Sequence, residues 1–277
     1  MDGFIEKAAQ SLARKFGPSG PQTLLCGVLD PGSPDPYFRQ LASNLRGRAL
    51  QVLPPAAASA AEDQRPAEPT LFCMLGRTGL FAGMAAPRAC GGFFPGGTRF
   101  IRQADGATVS RAGAKVSEAL HQLRLHRQPP PAGAHWLDLG ASPGGMSAEL
   151  IAKGYRVTAI DRAPLDPRLK GLAGLTEIRR DVAAFVPPRG ARYDAILCDM
   201  NGDARESMRQ VGRLAAALAS GGLVIFTLKT AGVAGLAEID RLAAAVLTTA
   251  SAAGLRLLAE THLTYNRQEF TWLLTTW

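Results

Sequence analysis

The last two strand candidates of the chain, LRLLAETHLT (255–264) and EFTWLLTTW (269–277), are separated only by YNRQ. Four residues make a turn between antiparallel strands and are far too few for the crossover that a parallel pair needs. The earlier candidates are spaced differently. HWLDLG (135–140), RVTAID (156–161), LTEIRRD (175–181), YDAILCDM (193–200) and GGLVIFTLK (221–229) have room for crossovers between them, and helical patterns fill 145–153, 204–219 and 235–253. This alternation predicts an α/β fold: a Rossmann-like seven-stranded sheet, mainly parallel, with an antiparallel last strand and helices on both faces.

The front of the chain reads as a separate small α/β domain over 1–90. Phe4, Ile5, Ala8, Leu12 and Phe16 fall on one helical face. TLLCGVLD is strand-like and YFRQLASNLRGRAL helix-like; TLFCMLG and GLFAGMA are two further strands. The Pro/Ala-rich stretch 54–69 reads as a surface loop or linker, and CGGFFPGGTRF (90–100) as a boundary. A basic connecting region and helix then occupy 91–133, with Val116, Ala119, Leu120 and Leu123 on one face, and the sheet domain occupies 134–277.

Lys and Arg number 31 against 23 Asp and Glu, a formal net charge of +8. Such a surplus favours a polyanionic partner, nucleic acid or an anionic membrane surface. No run approaches the roughly 18–20 apolar residues of a membrane span, and MDGFIEKAAQSLARKFG does not read as a secretory signal. The four cysteines and four histidines are scattered, so no metal site is expected. Cys26, Cys73 and Cys198 sit in apolar runs and read as reduced, buried thiols of a cytoplasmic protein.

LDLGASPGGMSAEL is strand, glycine-rich loop and helix start. Gly140 allows a sharp turn; Gly144 and Gly145 let backbone approach a ligand at the helix N-terminus. A dinucleotide fingerprint fails, because Ala, Ser and Pro follow Gly140 with no second glycine two residues on; a phosphate-binding Walker loop fails for want of the Lys-Ser/Thr pair. Asp161, at the tip of the second strand and 23 residues after Asp138, suits the two hydroxyls of a ribose, and Asp181, ending the third, suits an adenine amino group. An adenosine pocket without a pyrophosphate site suggests S-adenosylmethionine.

Lys229 closes the apolar run LVIFTLK, where a lysine snorkelling to solvent is the plain alternative. Asp199 ends the fourth strand and Glu269 opens the seventh. In a doubly wound sheet the parallel strands end on one ligand-binding edge, and the reversed strand begins there. Asp199, Lys229 and Glu269 should therefore converge, with Lys115 of the preceding helix able to close over them.

SRAGAKVSEAL, LDLGASPGG, LCDM, FTLK and RQEFTW together resemble the FtsJ-like ribose 2′-O-methyltransferases, whose hallmark is a Lys-Asp-Lys-Glu tetrad in this order. The segment ahead of the core, GLFAGMA, FPGG and SRAGAKVSEA, resembles most the RlmM type, which acts on a cytidine of 23S ribosomal RNA. The resemblance implies S-adenosylmethionine as cofactor, held by Gly140, Ser142, Pro143, Gly144, Gly145, Asp161, Asp181 and Asp199; Lys115, Asp199, Lys229 and Glu269 as catalytic residues; and a THUMP-like RNA-binding module in front. Ala112 and Ser142 stand where that family often has Ser and Cys, and the front part is shorter than in that type.

The implied reaction is attack of a ribose 2′-oxygen on the methyl of a sulfonium. Lys229 would accept the proton or steer the oxygen's lone pair, held by Asp199 and Glu269, and Lys115 would stabilise the developing alkoxide. A neighbouring lysine and burial would favour neutral Lys229, and the two acids would oppose that shift. Arg102, Arg111, Arg124 and Arg127 would neutralise RNA phosphates; Phe93, Phe94 and Phe100 read as core before base-stacking. Rival readings are a methyltransferase of a small molecule, a protein or another RNA (cap or tRNA), and a non-catalytic RNA-binding factor on the same fold.

Overall fold

The computed structural model describes residues 2–30, 36–53, 64–94 and 109–277. The chain divides into two compact units, Met1–Arg99 and Phe100–Trp277.

The larger unit is built on a seven-stranded sheet. Its strands are β4 (His135–Leu139), β5 (Arg156–Asp161), β6 (Leu175–Arg179), β7 (Tyr193–Cys198), β8 (Leu218–Lys229), β9 (Leu255–Thr261) and β10 (Glu269–Thr276), after three in the smaller unit. Their spatial order is β6-β5-β4-β7-β8-β10-β9. β4 to β8 pair in parallel, and β10 pairs antiparallel with both β8 and β9. The reversed strand expected from the YNRQ turn is thus inserted between β8 and β9.

Its helices are α3 (Ala112–Leu123), α4 (Gly145–Ala152), α5 (Ala204–Ala215) and α6 (Leu236–Ala252), after two in the smaller unit. Two apolar clusters cover the two sheet faces. One joins Leu139, Ile196, Phe226 and Trp272 to Met208 and Val211 of α5 and Val246 of α6. The other joins Trp136, Leu197, Ile225 and Leu273 to Val116, Leu120 and Leu123 of α3 and Leu150 of α4. Alternate residues of the same strands feed the two clusters, as a strand buried on both faces requires.

Two boundaries differ from the sequence expectation. α5 stops at Ala215, and the strand begins at Leu218, not Gly221. The Ala-rich stretch has helical propensity, but Leu218 pairs with Tyr193 and is buried, so tertiary pairing overrides it.

The smaller unit holds α1 (Asp2–Phe16), β1 (Thr23–Val28), α2 (Tyr37–Val52), β2 (Thr70–Gly76) and β3 (Gly79–Ala85). β1 and β2 are parallel, and β2 and β3 form an antiparallel hairpin closed by Arg77 and Thr78. Ile5, Ala8 and Leu12 of α1 and Leu41 and Leu45 of α2 pack on Leu24, Leu71 and Leu75. Phe4, placed on the buried face by sequence, is 45% exposed. The four cysteines are free thiols; Cys73 and Cys198 are buried, Cys26 is half-buried and Cys90 is exposed.

Candidate active site

The carboxyl ends of β7 and β8 and the start of β10 lie together. Glu269 is the register partner of Lys229, and Asp199 follows β7 directly. Lys115, in the first turn of α3, completes the group. Lys229 Nζ donates to Asp199 Oδ1 at 2.6 Å and to Glu269 Oε2 at 2.7 Å. Lys115 Nζ donates to Glu269 Oε1 at 2.5 Å and to Asp199 Oδ2 at 3.3 Å. Each carboxylate therefore bridges both ammonium groups, and the four side chains close an alternating ring. All four are between 10% and 17% exposed.

Burial pulls the pKa of Lys229 down, but attraction and hydrogen bonds from Asp199 and Glu269 outweigh it and hold it above the usual lysine range. The opposing tendencies weighed from sequence thus resolve toward the charged form, and Lys229 is an ammonium in this ring.

Residues missed by sequence reasoning hold the ring. Glu118, one turn along α3 from Lys115, is buried and accepts from Thr264 N at 3.0 Å and from Thr264 Oγ1 at 2.9 Å. Burial pushes its carboxyl upward, against the pull of those bonds. This ties α3 to the turn that delivers Glu269. In the amide orientation that satisfies both of its polar atoms, buried Asn266 donates to Glu269 Oε1 at 3.2 Å and accepts from Thr271 Oγ1 at 3.0 Å. Ser117 also donates to Glu149, joining α3 to α4. The sequence signal for Glu118 and Ser117 was polar side chains at helical spacing beside apolar ones, which a solvated face produces equally well, and Asn266 reads as an ordinary turn residue.

Beside the ring a cleft of ≈ 470 Å³ opens at the point where the strand order reverses, between the ends of β4 and β7. Gly140, Ser142, Pro143, Gly145, Asp161, Asp181 and Asp199 line it. Asp161 accepts Ser142 N at 3.0 Å and Ala163 N at 2.8 Å, which leaves its carboxylate further acceptor capacity. Asp181 caps a short 3-10 turn through Ala183 N at 2.9 Å. Arg213 of α5 fixes that turn by donating to the carbonyls of Val182 and Phe185, each at 2.7 Å.

Gly144 departs from expectation, since it is not among the lining residues. A side chain there would collide with Leu169, and φ is +102°. At Gly145 a side chain would collide with Ser110. The left-handed φ therefore favours glycine at 144, and the close approach of Ser110 favours it at 145, quite apart from any approach to a ligand.

Asp138, also lining the cleft, is fully buried; burial pushes it up to about 7, Ser147 pulls it down through a 2.6 Å hydrogen bond, and Asp199 and Asp161 add repulsion. Six carboxyl side chains (Asp138, Asp161, Asp181, Asp199, Asp203, Glu206) and two guanidinium groups (Arg162, Arg180) line this cleft. That balance suits a cationic ligand with ribose hydroxyls and disfavours a pyrophosphate.

Three of the four arginines named for RNA contact fall among the described residues. Arg111 precedes α3 and is exposed near Lys115, whereas half-buried Arg124 caps the other end of the helix. Arg127 donates to Gly221 O at 2.6 Å and to Thr275 Oγ1 at 3.2 Å, at the opposite end of the sheet from Lys229. It ties the segment after α3 to the sheet there. Arg102 and Phe100 lie outside the described residues, and Phe93 is buried in the core. Among the described residues no cluster of His, Cys, Asp or Glu could hold a metal ion, and no helix is long and apolar enough to cross a membrane.

Residues 108–234 match the FtsJ-like methyltransferase family. The match takes in Lys115, Asp199 and Lys229; Glu269 lies beyond it, and the antiparallel β10 returns that residue to the ring. Curated relatives named ribosomal RNA large subunit methyltransferase M share the likeness. That of Halorhodospira halophila is 41% identical over 91 residues, 33% of this chain and 26% of the relative. That of Shewanella frigidimarina is 31% identical over 148 residues, 52% of this chain and 40% of the relative. That of Aromatoleum aromaticum is 29% identical over 178 residues, 62% of this chain and 46% of the relative. The chain thus spans less than half the length of these relatives. Among solved structures, "Putative hemolysin from Streptococcus thermophilus" superposes with a TM-score of 0.54 at 18% identity, over 70% of this chain and 73% of that one, which shows the fold alone.

Proposed function

We propose that this protein is an S-adenosylmethionine-dependent RNA ribose 2′-O-methyltransferase whose substrate is large-subunit (23S) ribosomal RNA. The observation that carries the reading is the closed Lys115–Asp199–Lys229–Glu269 ring beside an acidic cleft. The FtsJ-like match and the naming of the relatives support the substrate class. In this reading the smaller unit is a THUMP-like RNA-binding module, and the setting is the cytoplasm.

S-adenosylmethionine, when bound, supplies an activated methyl group on a sulfonium. The cleft's residues fit such a donor: Asp161 has acceptor capacity for ribose hydroxyls, Asp181 lines the same cleft and is the candidate partner of an adenine amino group, and the acidic lining attracts the cation. The work left to the ring is placement of a hydroxyl and removal of its proton.

Of the two roles expected for Lys229, its raised pKa supports steering. As an ammonium it donates a hydrogen bond to one lone pair of the 2′-oxygen and leaves the other aimed along the line of attack. The carboxylates of Asp199 and Glu269 are the acceptors within reach for the hydroxyl proton, and Lys115 stabilises negative charge as it develops on oxygen.

The experiment is incubation of an unmodified 23S transcript with labelled S-adenosylmethionine, digestion to nucleosides and mass spectrometry. A 2′-O-methylated nucleoside, cytidine foremost, is expected. A base-methylated nucleoside, or label entering metabolites but no RNA, would refute the reading.

A further inference from the structure

A second, smaller cleft of ≈ 320 Å³ adjoins the ring on the side away from the first. Lys229 lines this one and Asp199 lines the first, so the 2.6 Å ion pair between them joins the two. Asp203, the N-cap of α5, borders both. The second cleft lies between the start of α5 and the start of α6 on the carboxyl edge of β7 and β8.

In-line methyl transfer sets donor and acceptor on opposite sides of the moving carbon, so two ligands must reach the ring from two directions. Six carboxyl groups make the first cleft hostile to phosphodiesters. In the second, three cations (Lys229, Arg205, Arg241) face two acids (Asp203, Glu238). Arg205 stands 3.7 Å from Asp203 and Arg241 4.0 Å from Glu238, in loose pairs whose arginines are 50% and 73% exposed. Exposed pairs of this kind hold little energy and release their guanidinium groups readily. Small residues, Gly202, Ala204 and Ala231, leave the space between them open. Its volume is at the lower end of ligand pockets, about 300–1,000 Å³, which suits one unpaired nucleotide and no duplex.

We infer that this cleft receives the acceptor nucleotide in single-stranded RNA, with Arg205 and Arg241 holding the flanking phosphates and Lys229 meeting its 2′-oxygen; the inference rests on the methyltransferase reading. The test uses the full chain, labelled S-adenosylmethionine and an unmodified 23S transcript. The double variant Arg205→Glu, Arg241→Glu should raise KM for RNA at least tenfold. It should also lower the slope of log KM against log salt by about two, roughly one per lost phosphate contact. Affinity for S-adenosylmethionine by calorimetry should change less than twofold, which also reports folding. Filling the cleft with Ala231→Trp at this exposed position should abolish transfer and leave that affinity intact.

Arg256→Glu is the control for net charge, because Arg256 lies over the Trp277 ring at the far end of the sheet. It should change neither KM nor slope. Labelled RNA with an unchanged KM and slope in the double variant, normal transfer by Ala231→Trp, or an equal effect of Arg256→Glu would overturn the inference alone. Absence of RNA label from the unaltered protein that still binds S-adenosylmethionine would overturn the methyltransferase reading, and this inference with it.

Discussion

Lys229 ends a strand whose preceding residues are buried, and two carboxylates hold its ammonium in place of solvent. A snorkelling lysine would point away from its neighbours; this one makes two of the four ion pairs of the ring. Its raised pKa has a signed consequence. Stability gained from the protonated group is complete below the ordinary lysine value and is lost as pH climbs through the higher folded value. The kcat/KM profile should accordingly show no limb from Lys229 between pH 6 and about 9; a rise in that range that disappears in Lys229→Arg would assign it a base role instead. Asp138 behaves in the opposite sense for a carboxylate. With a folded value of about 7, it favours folding fully below the usual 3.8 and loses that contribution as pH rises through 7. Between pH 5 and pH 8 the loss is roughly 2–3 kcal/mol. Asp138→Asn should remove this dependence, read as urea midpoints at the two pH values. Asn266→Ala, which frees one oxygen of Glu269, should lower kcat by roughly 10–100-fold through misplacement with little change in KM for either substrate.

At the scale of elements, the reversal of β10 is what makes the site. A parallel strand in its place would put Glu269 at the far edge of the sheet. YNRQ signalled that reversal in the sequence, and Asp199, Lys229 and Glu269 were legible as a group because strand direction alone sends them to one edge. The attachment of α3 was not legible. Glu118 reaches across 146 residues to Thr264, and no local pattern announces a partner so distant. The tether made by Arg127 was hidden for the same reason: its carbonyl partner lies 94 residues away. The start of β8 inside an Ala-rich stretch likewise depended on its pairing with β7. Glu118→Ala should leave Thr264 N–H unpaired, lower stability by about 1–3 kcal/mol in urea unfolding, and reduce kcat by loosening Lys115, without changing affinity for the methyl donor.

For the whole molecule, a net charge of +8 stands against an acidic cleft. In the proposed reading, RNA would be drawn by the protein's general surplus of cations, while the cleft would select a cationic donor. RNA affinity should therefore fall steeply as salt rises, linearly on a log–log scale, whereas affinity for S-adenosylmethionine should change far less; equal salt slopes for both ligands would contradict this division. The measurement that bears most directly on the ring is single-turnover methyl transfer to 23S transcript by Lys229→Ala, paired with calorimetry of the donor. The account predicts a rate lower by about 10²–10³-fold or more, with donor affinity close to that of the unaltered protein. A variant that methylates at a near-normal rate while binding the donor normally would contradict it.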